Sequence, residues 1–281
     1  MARPGPTWLG TLLYPAALVT LFLVLQLVAR GLGIAEAQWP LFAAPWALLA
    51  LVCSLPFRLR RAWGDSAPWR RLGVRASPGA AVAALAKGWA RAALLLAPIA
   101  VLLTWSGMAQ WRPDLDWAEL ANALALGLGV GFAEELLFRG WLWGELALHL
   151  GRARGALAQA LIFGLVHARA DLGGAALIGL LGGLALLGWA LALLRRADRG
   201  LLWGAVGLHG GLVGGWFALL QGGLTISAAT PGWLVGPGGT NPNPVGGVLG
   251  WLGLALLAVS LAKAGNHPEE RGITDNEETC R

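Results

Sequence analysis

Two adjacent glutamates and an arginine stand inside an apolar run that is long enough to cross a membrane. The run covers residues 120–143 and contains Glu134, Glu135 and Arg139. Ionisable side chains are costly in hydrocarbon, so they usually face a polar partner or a water-filled cavity. Any fold for this chain must therefore bring polar groups from elsewhere in the sequence to this position.

The composition is that of a membrane protein. Hydrophobic residues make up 57% of the chain, charged residues only 13%, and the mean hydropathy is +0.62. Soluble domains average roughly 25% charged residues. We therefore predict an all-α, polytopic transmembrane helix bundle. The net charge of +6 comes from basic residues between the apolar runs, which is a topology signal and does not indicate a nucleic-acid partner.

Eight apolar runs are predicted to span the membrane. Basic residues are concentrated in segments 56–91, 150–155 and 195–200, whereas the connections on the opposite side carry almost no Lys or Arg. By the positive-inside rule this asymmetry places both the N- and the C-terminus in the cytoplasm. The predicted spans are 8–28, 41–55, 92–108, 120–143, 156–168, 173–194, 201–220 and 247–262.

The spans group into four regions. A small-residue segment, 80–90, either lies along the membrane interface or leads into the third span. Residues 221–246 form an uncharged loop rich in Gly, Pro and Asn, and the polar tail has the composition of a disordered segment. The regions are N-terminal helices with a basic cytoplasmic loop (1–119), core helices (120–220), a loop with the last helix (221–264) and the tail (265–281).

The carboxylates have different partners at helical spacing. Glu135 and Arg139 are four residues apart and can pair on one helix face, and a purely structural ion pair is one interpretation. Glu134 is rotated by about 100° from Glu135 and has no cation at helical spacing. It therefore requires a proton, a metal, a histidine or water. The histidines within apolar runs, His167 and His209, are the candidates.

These three groups are predicted to lie at a similar depth. Measured along each helix from its cytosolic end, Glu134 is ~14 Å deep, His167 roughly 17 Å and His209 about 12 Å. A carboxylate and two imidazoles can activate water and stabilise an oxyanion, or hold a divalent metal such as Zn²⁺. Both routes lead to hydrolysis, and the same groups also suit a proton relay.

Other features have plainer interpretations. Trp141 and Trp143 are interpreted as part of an interfacial aromatic belt. The basic stretch 58–75 is interpreted as a solvated surface that faces lipid headgroups. Glycines recur every fourth residue at 207, 211 and 215 and again at 127 and 131, a spacing typical of close helix packing in membranes.

Three motifs follow one another along the core region. Each lies within a predicted span, and together they resemble the EExxxR, FxxxH and HxxxN pattern of the CPBP family. That family contains intramembrane endopeptidases, among them the type II CAAX prenyl protease, together with abortive-infection-like and bacteriocin-processing proteins. The resemblance covers about residues 120–220. The motifs are Glu134-Glu135-x-x-x-Arg139, Phe163-x-x-x-His167 and His209-x-x-x-Val213.

The resemblance implies catalytic roles for four residues. Glu134 is expected to activate the attacking water, and His167 to hold that water or a metal together with Glu134. His209 is expected to complete the site or to stabilise the oxyanion. Glu135 is expected to orient the site. If a divalent metal such as Zn²⁺ is the cofactor, its expected ligands are Glu134, His167 and His209.

The remaining motif positions are expected to support the site. Arg139 pairs with Glu135, and Phe163 opens the second motif. One position departs from the family pattern, because Val213 stands where an amide side chain is expected. Valine can neither donate a hydrogen bond nor coordinate a metal.

Three functions follow from this sequence. The first is an intramembrane endopeptidase, metal- or glutamate-dependent, that hydrolyses a peptide bond near the cytosolic face. Its partners would be membrane lipids and a peptide or protein substrate that is lipidated or membrane-associated. The second is a catalytically weak scaffold or immunity-type membrane protein, which Val213 favours. The third is a proton-linked transporter, and the lack of recognisable inverted repeats argues mildly against it. The expected location is the bacterial inner membrane.

Overall fold

A computed structural model describes residues 5–114 and 116–264 of the chain. The described part is a helical bundle, which confirms the all-α prediction. The predicted disorder of 265–281 lies outside the described residues. The helices are α1 (Trp8–Gly31), α2 (Trp39–Arg58), α3 (Pro68–Arg71), α4 (Pro78–Trp105), α5 (Trp117–Glu135), α6 (Trp143–Leu150), α7 (Arg152–Leu165), α8 (Gly174–Ala197), α9 (Trp203–Gln221), α10 (Gly232–Val235) and α11 (Val248–Ala264).

Each predicted span contains a helix. In the described part, six helical stretches are long and apolar enough to cross a membrane, the longest being the 34 residues of Trp117–Leu150. The helices α7 and α11 are shorter, with 14 and 17 residues. The protein is therefore an integral membrane protein, while the count of eight spans and the cytoplasmic placement of both termini stay predictions.

The segment 80–90 belongs to the third span. Ser77 accepts a hydrogen bond from the backbone N–H of Ala80 and caps α4, and Pro78 occupies the first turn. The helix then continues without a break to Trp105. Of the two alternatives for 80–90, the structure has the one in which this segment leads into the span.

The helix α9 lies at the centre of the bundle and packs on α4 and α5. Its glycines make this possible on two different faces. A Cβ atom at Gly207 would collide with the carbonyl oxygen of Leu85 in α4, and one at Gly210 with the carbonyl oxygen of Gly127 in α5. The periodic glycines 207, 211 and 215 therefore face α4, and it is Gly210 that lets α9 approach the helix of the glutamates.

The loops opposite the basic segments are ordered. Strand β1 (Ala109–Trp111) pairs antiparallel with β2 (Leu224–Ile226), with Gln110 opposite Thr225. Trp216 of α9 donates a hydrogen bond from its indole N–H to the carbonyl oxygen of Pro242 at 2.8 Å. The uncharged loop 221–246 is thus tied to the bundle by the strand pair and by this hydrogen bond.

Candidate active site

Glu134 and the two predicted histidines meet at one point. The Oε2 atom of Glu134 lies 3.5 Å from Nε2 of His167 and 3.8 Å from Nε2 of His209. The three residues come from α5, from the turn that follows α7, and from α9. The side chain of Glu134 is 27% exposed and that of His167 34%, whereas His209 is 6% exposed. The site is therefore reachable from one side and closed on the other.

Each of the two imidazoles is held by a hydrogen bond at its Nδ1 atom. The Nδ1 atom of His167 lies 2.7 Å from the carbonyl oxygen of Phe163, and Nδ1 of His209 lies 2.8 Å from Oε1 of Glu135. A carbonyl oxygen and a carboxylate oxygen can only accept, so in each ring Nδ1 carries the proton and donates. When a ring is neutral, its Nε2 carries the free lone pair, and this atom lies toward Glu134.

The point between these groups is lined by hydrogen-bond acceptors. Two Nε2 lone pairs and the carboxylate of Glu134 converge there. Among the described residues, the buried Oε2 atom of Glu134 has no hydrogen-bond partner. Acceptor atoms that face one another without a donor between them repel. A water that donates its protons, protonation of one ring or a bound cation would relieve this repulsion. The arrangement is therefore suited to polarising a water molecule.

Glu135 connects His209 to a buried cation. Its Oε1 atom accepts a hydrogen bond from Nη1 of Arg139 at 2.8 Å and another from His209 at 2.8 Å. The side chains of Glu135 and Arg139 are fully buried. The spacing predicted the pair with Arg139, and the structure adds the bond to His209. Glu135 therefore fixes the orientation and the tautomer of His209, which is a positioning role.

Phe163 packs against most of the site. Its ring centroid lies 4.8 Å from that of His167 and 5.6 Å from that of His209. The guanidinium carbon of Arg139 lies 4.2 Å from the centre of the same ring, which is a cation–π distance. A single aromatic side chain thus separates the cation from the imidazoles and excludes water behind them.

A π-helical segment begins directly after the two glutamates. Residues Leu136–Leu142 form it, and it contains Arg139. Segments of this kind occur often at functional sites, where they change the direction of side chains. The carbonyl oxygen of Arg139 accepts a hydrogen bond from Nη1 of Arg195, a buried residue near the end of α8.

Arg195 connects the π-helical segment to two turns on the side that carries the basic segments. Its other donors reach the carbonyl oxygens of Arg71 and Gly200 at 3.1 and 3.2 Å. Close by, the backbone N–H of Leu202 donates to the carbonyl oxygen of Gly73 at 2.9 Å. Arg195 thus holds together three segments distant in sequence. At the sequence level it looks the same as its neighbour Arg196, and nothing in the pattern distinguishes them.

A second buried carboxylate, Glu145, joins the N-terminal helices to the core. Its Oε1 accepts hydrogen bonds from Arg58 at 2.8 Å, Trp63 at 3.1 Å and Trp141 at 2.9 Å, and its Oε2 accepts one from Thr11 at 2.8 Å. Glu145 is completely buried. The sequence offered one signal for it, a further carboxylate ten residues after Glu135 and next to an apolar run.

These contacts correct two interpretations. Trp141 is fully buried and Trp143 is 7% exposed, so neither belongs to an interfacial belt. Arg58 has a side chain that is only 16% exposed and pairs with Glu145, so the basic stretch 58–75 is not solvated throughout. Trp141 donates to Glu145 four residues later and Trp143 to the carbonyl oxygen of Arg152, whereas the partner of Arg58 comes from a helix distant in sequence.

The loop after His167 carries its own ion pair. Nη2 of Arg169 lies 2.6 Å from Oδ2 of Asp171, and both side chains are more than half exposed. The hydrogen bond from Arg169 lowers the pKa of Asp171 below its ordinary value. This pair stands apart from the buried charges and balances itself, so it adds no net charge at the mouth of the site.

The metal prediction has a matching set of donors. Two imidazole Nε2 atoms and one carboxylate are ligands that Zn²⁺ takes in hydrolytic sites, and both Nδ1 atoms have the hydrogen-bond partners typical of metal-binding histidines. Within 5–114 and 116–264, however, no three His, Cys, Asp or Glu side chains form a group with the spacing of a metal site. Metal binding by Glu134, His167 and His209 therefore stays a prediction.

Comparison with known proteins identifies the core region. Residues 116–214 match the family model of the type II CAAX prenyl endopeptidase, Rce1-like. This segment is less than half of the chain, and it contains both glutamates, Arg139, His167 and His209. The resemblance inferred from the three motifs is thereby confirmed. No curated protein and no solved structure gives a significant match to the chain.

Proposed function

We propose, from the match of residues 116–214 to the Rce1-like endopeptidases, that the protein is an intramembrane protease that cleaves a peptide bond near the cytosolic face. One observation carries the proposal: Oε2 of Glu134 and the Nε2 atoms of His167 and His209 meet at a single, partly exposed point. That point is where an attacking water would be bound. The substrate is a peptide or protein that is lipidated or otherwise held at the membrane of a bacterial cell.

The first step assigned to the site is activation of water. Glu134 accepts a proton from the water as general base, and the Nε2 lone pair of neutral His167 orients that water beforehand by accepting a hydrogen bond from its other O–H. The hydroxide that forms adds to the carbonyl carbon of the scissile bond. General bases placed in this way contribute typically about 10²–10⁴-fold to the rate.

The second step is stabilisation and collapse of the tetrahedral intermediate. His209 is the ring that is protonated before the water binds; its Nε2–H donates toward the oxyanion, the hydrogen bond from Nδ1 to Glu135 stabilises the imidazolium charge, and His209 keeps its proton throughout. The proton taken up by Glu134 passes to the leaving nitrogen as the C–N bond breaks. The products are a carboxylate and an amine, and Glu134 returns to its ionised form.

A divalent metal, as the alternative to a bare Glu/His site, would be held by Glu134, His167 and His209 and would supply a Lewis acid. The roles of Glu135 in positioning His209 and of Phe163 in excluding water are the same in either case. Elemental analysis of the purified protein separates the two possibilities. Stoichiometric zinc that is lost in a His167→Ala variant supports the metal.

The proposal is tested by a cleavage assay. The purified full chain is given a short farnesylated peptide and a leader-like membrane peptide, and turnover is compared among wild type, Glu134→Gln and His167→Ala. We expect both variants to lose about 10²–10⁴-fold in kcat. Glu119→Gln is the matched control, since Glu119 lies on the same helix about 22 Å away and its substitution should leave turnover unchanged.

Equal turnover in all four proteins would exclude these residues as the site of hydrolysis.

Val213 supports the second candidate, a scaffold that keeps the fold and has weak activity or none. Val213→Asn restores the amide of the family pattern, and as a peptidase the variant should gain at least about tenfold in turnover. Absence of turnover in both wild type and Val213→Asn would favour the scaffold.

A further inference from the structure

A groove on the membrane-facing side separates α4 from α11. It has a volume of about 400 Å³, and leucines of both helices form most of its walls. The helices come close at one place, where a Cβ at Gly253 would lie 2.9 Å from Cδ2 of Leu95. None of the carboxylate and imidazole groups described above lines the groove.

The length and position of the groove match one leaflet of a bilayer. Along α4 it extends from Arg91 to Leu102, which at 1.5 Å per residue is about 16 Å. Half of a hydrocarbon core is about 15 Å thick. Because α4 begins next to the basic loop 64–77, the end at Arg91 lies toward the cytoplasm in the predicted topology. The groove therefore offers space for one acyl chain of the cytoplasmic leaflet.

The cytoplasmic end of the groove carries positive charge. Arg91 is the charged residue among the described residues that line it, and its Nη1 atom is shielded from solvent and lacks a hydrogen-bond partner in the described part of the chain. Lys87 lies one turn earlier on the same helix. The carboxylate of Asp198 faces both cations, and burial raises the pKa of Asp198 above its ordinary value. Two cations and one carboxylate leave an excess of positive charge here.

We propose that this groove binds one anionic glycerophospholipid of the cytoplasmic leaflet, with an acyl chain between α4 and α11 and its phosphate on Arg91. A guanidinium binds phosphate oxygens in a forked geometry, and Arg91 lines the groove at the end where the headgroup would lie. Lys87 adds long-range attraction for the same headgroup. A zwitterionic headgroup offers the same phosphate together with a cation that Arg91 and Lys87 repel, so the excess positive charge favours a lipid with net negative charge.

The experiment measures lipids bound to the full chain in detergent micelles by native mass spectrometry. Phosphatidylglycerol and phosphatidylcholine with the same acyl chains are added at equal concentration. We expect wild type to prefer phosphatidylglycerol about fivefold, the value for one basic residue near a headgroup. Arg91→Gln should lower the preference to below about twofold, and Arg91→Lys should keep most of it.

Two further variants test the site and the specificity of the effect. Leu257→Trp places a large ring inside the groove, so it should reduce binding of both lipids while Arg91 is intact. Arg154→Gln removes an exposed cytoplasmic arginine outside the groove, and it should leave the preference unchanged. This readout does not depend on proteolytic activity.

Three results would overturn the proposal. Equal binding of the two lipids by wild type would make the groove an ordinary lipid contact. An unchanged preference in Arg91→Gln would assign the headgroup to another site, with Arg91 paired to Asp198 instead. A farnesylated peptide that displaces phosphatidylglycerol, and that added free lipid cannot displace in turn, would identify the groove as a route for substrate.

Discussion

Glu134 and Glu135 are neighbours in sequence and have different tasks. Glu134 is partly exposed and directs an unpaired oxygen at two imidazole nitrogens. Glu135 is fully buried and accepts hydrogen bonds from Arg139 and His209. The rotation of about 100° between adjacent helix positions produces this division. One carboxylate faces the site, and the other holds the residues that form it.

Replacing each glutamate by glutamine should separate activity from stability. Glu135→Gln leaves Arg139 without its charged partner in a buried position, so we expect a loss of about 3–5 kcal/mol in the free energy of unfolding. Glu134→Gln should change it by less than about 1 kcal/mol, because Glu134 is partly exposed. Denaturant titration of the protein in detergent micelles measures the free energy of unfolding of both variants. Equal stability of the two variants would contradict the division of roles.

Among elements, the crossing of α5 and α9 sets the geometry of the site. A Cβ atom at Gly131 would lie 2.8 Å from the carbonyl oxygen of Val206 and 2.9 Å from the Cα of Gly210. Contacts that short are not tolerated by packed backbones. Gly131 is one turn before Glu135, and Gly210 follows His209. The distance between the glutamates and His209 therefore depends on the absence of a side chain at this crossing.

Gly131→Ala should move α5 away from α9. We expect it to destabilise the protein by about 1–3 kcal/mol, the usual cost of overpacking, and to lower turnover because His209 moves away from Glu135. Gly129→Ala is the control on the same helix, since a Cβ at Gly129 has no atom within 4 Å. A Gly131→Ala variant with wild-type stability and turnover would show that the crossing can relax.

The π-helical segment depends on Arg195 for one of its carbonyl groups. Arg195→Met removes the donors that bind Arg139, Arg71 and Gly200, and we expect it to cost about 2–5 kcal/mol. It should also loosen the loop 64–77, detected as faster trypsin cleavage at Arg70 or Arg71. Arg196→Met is the matched control, because Arg196 is the exposed neighbour. Equal cleavage rates in the two variants would remove the proposed role of Arg195.

For the whole molecule, the distribution of charge predicts which side faces the cytoplasm. The loop 64–77 belongs to the basic side and 221–246 to the opposite side. In a background with Cys53 and Cys280 changed to serine, single cysteines are placed at Ser66 and at Ala228, both exposed. A membrane-impermeant maleimide added to intact cells should label Ala228→Cys and not Ser66→Cys. The reverse pattern would invert the topology.

The whole molecule also explains how its parts depend on one another. Glu145 binds groups from α1, α2 and the segment after α2, and Arg195 binds the loop 64–77. Glu145 lies on the helical stretch Trp117–Leu150 that carries Glu134 and Glu135, and Arg195 donates a hydrogen bond to it at the carbonyl oxygen of Arg139. The N-terminal helices carry none of the recognised motifs, yet they are connected to that stretch by buried hydrogen bonds, so they support the core region structurally.

The sequence by itself determined the helical class, the positions of the helices and the residues of the site. Apolar runs long enough to span hydrocarbon have few alternatives to helix, because backbone groups cannot remain unpaired there. The cost of an intramembrane charge likewise requires Glu134 to have a polar partner, and the only histidines inside apolar runs were His167 and His209. Their convergence could therefore be expected before any coordinates were known.

Only the tertiary structure decided which distant group satisfies each buried polar atom. Arg195 and Arg196 cannot be distinguished from the sequence, and neither can Gly210 and Gly211. Helical periodicity gives the direction in which a residue points from its own helix, but not which neighbouring helix lies in that direction. Crossings between helices determine three of these contacts: the hydrogen bond from His209 to Glu135, the hydrogen bonds around Glu145 and those from Arg195 to the π-helical segment and its neighbours. Those crossings are set by packing of the whole bundle, which no local pattern contains.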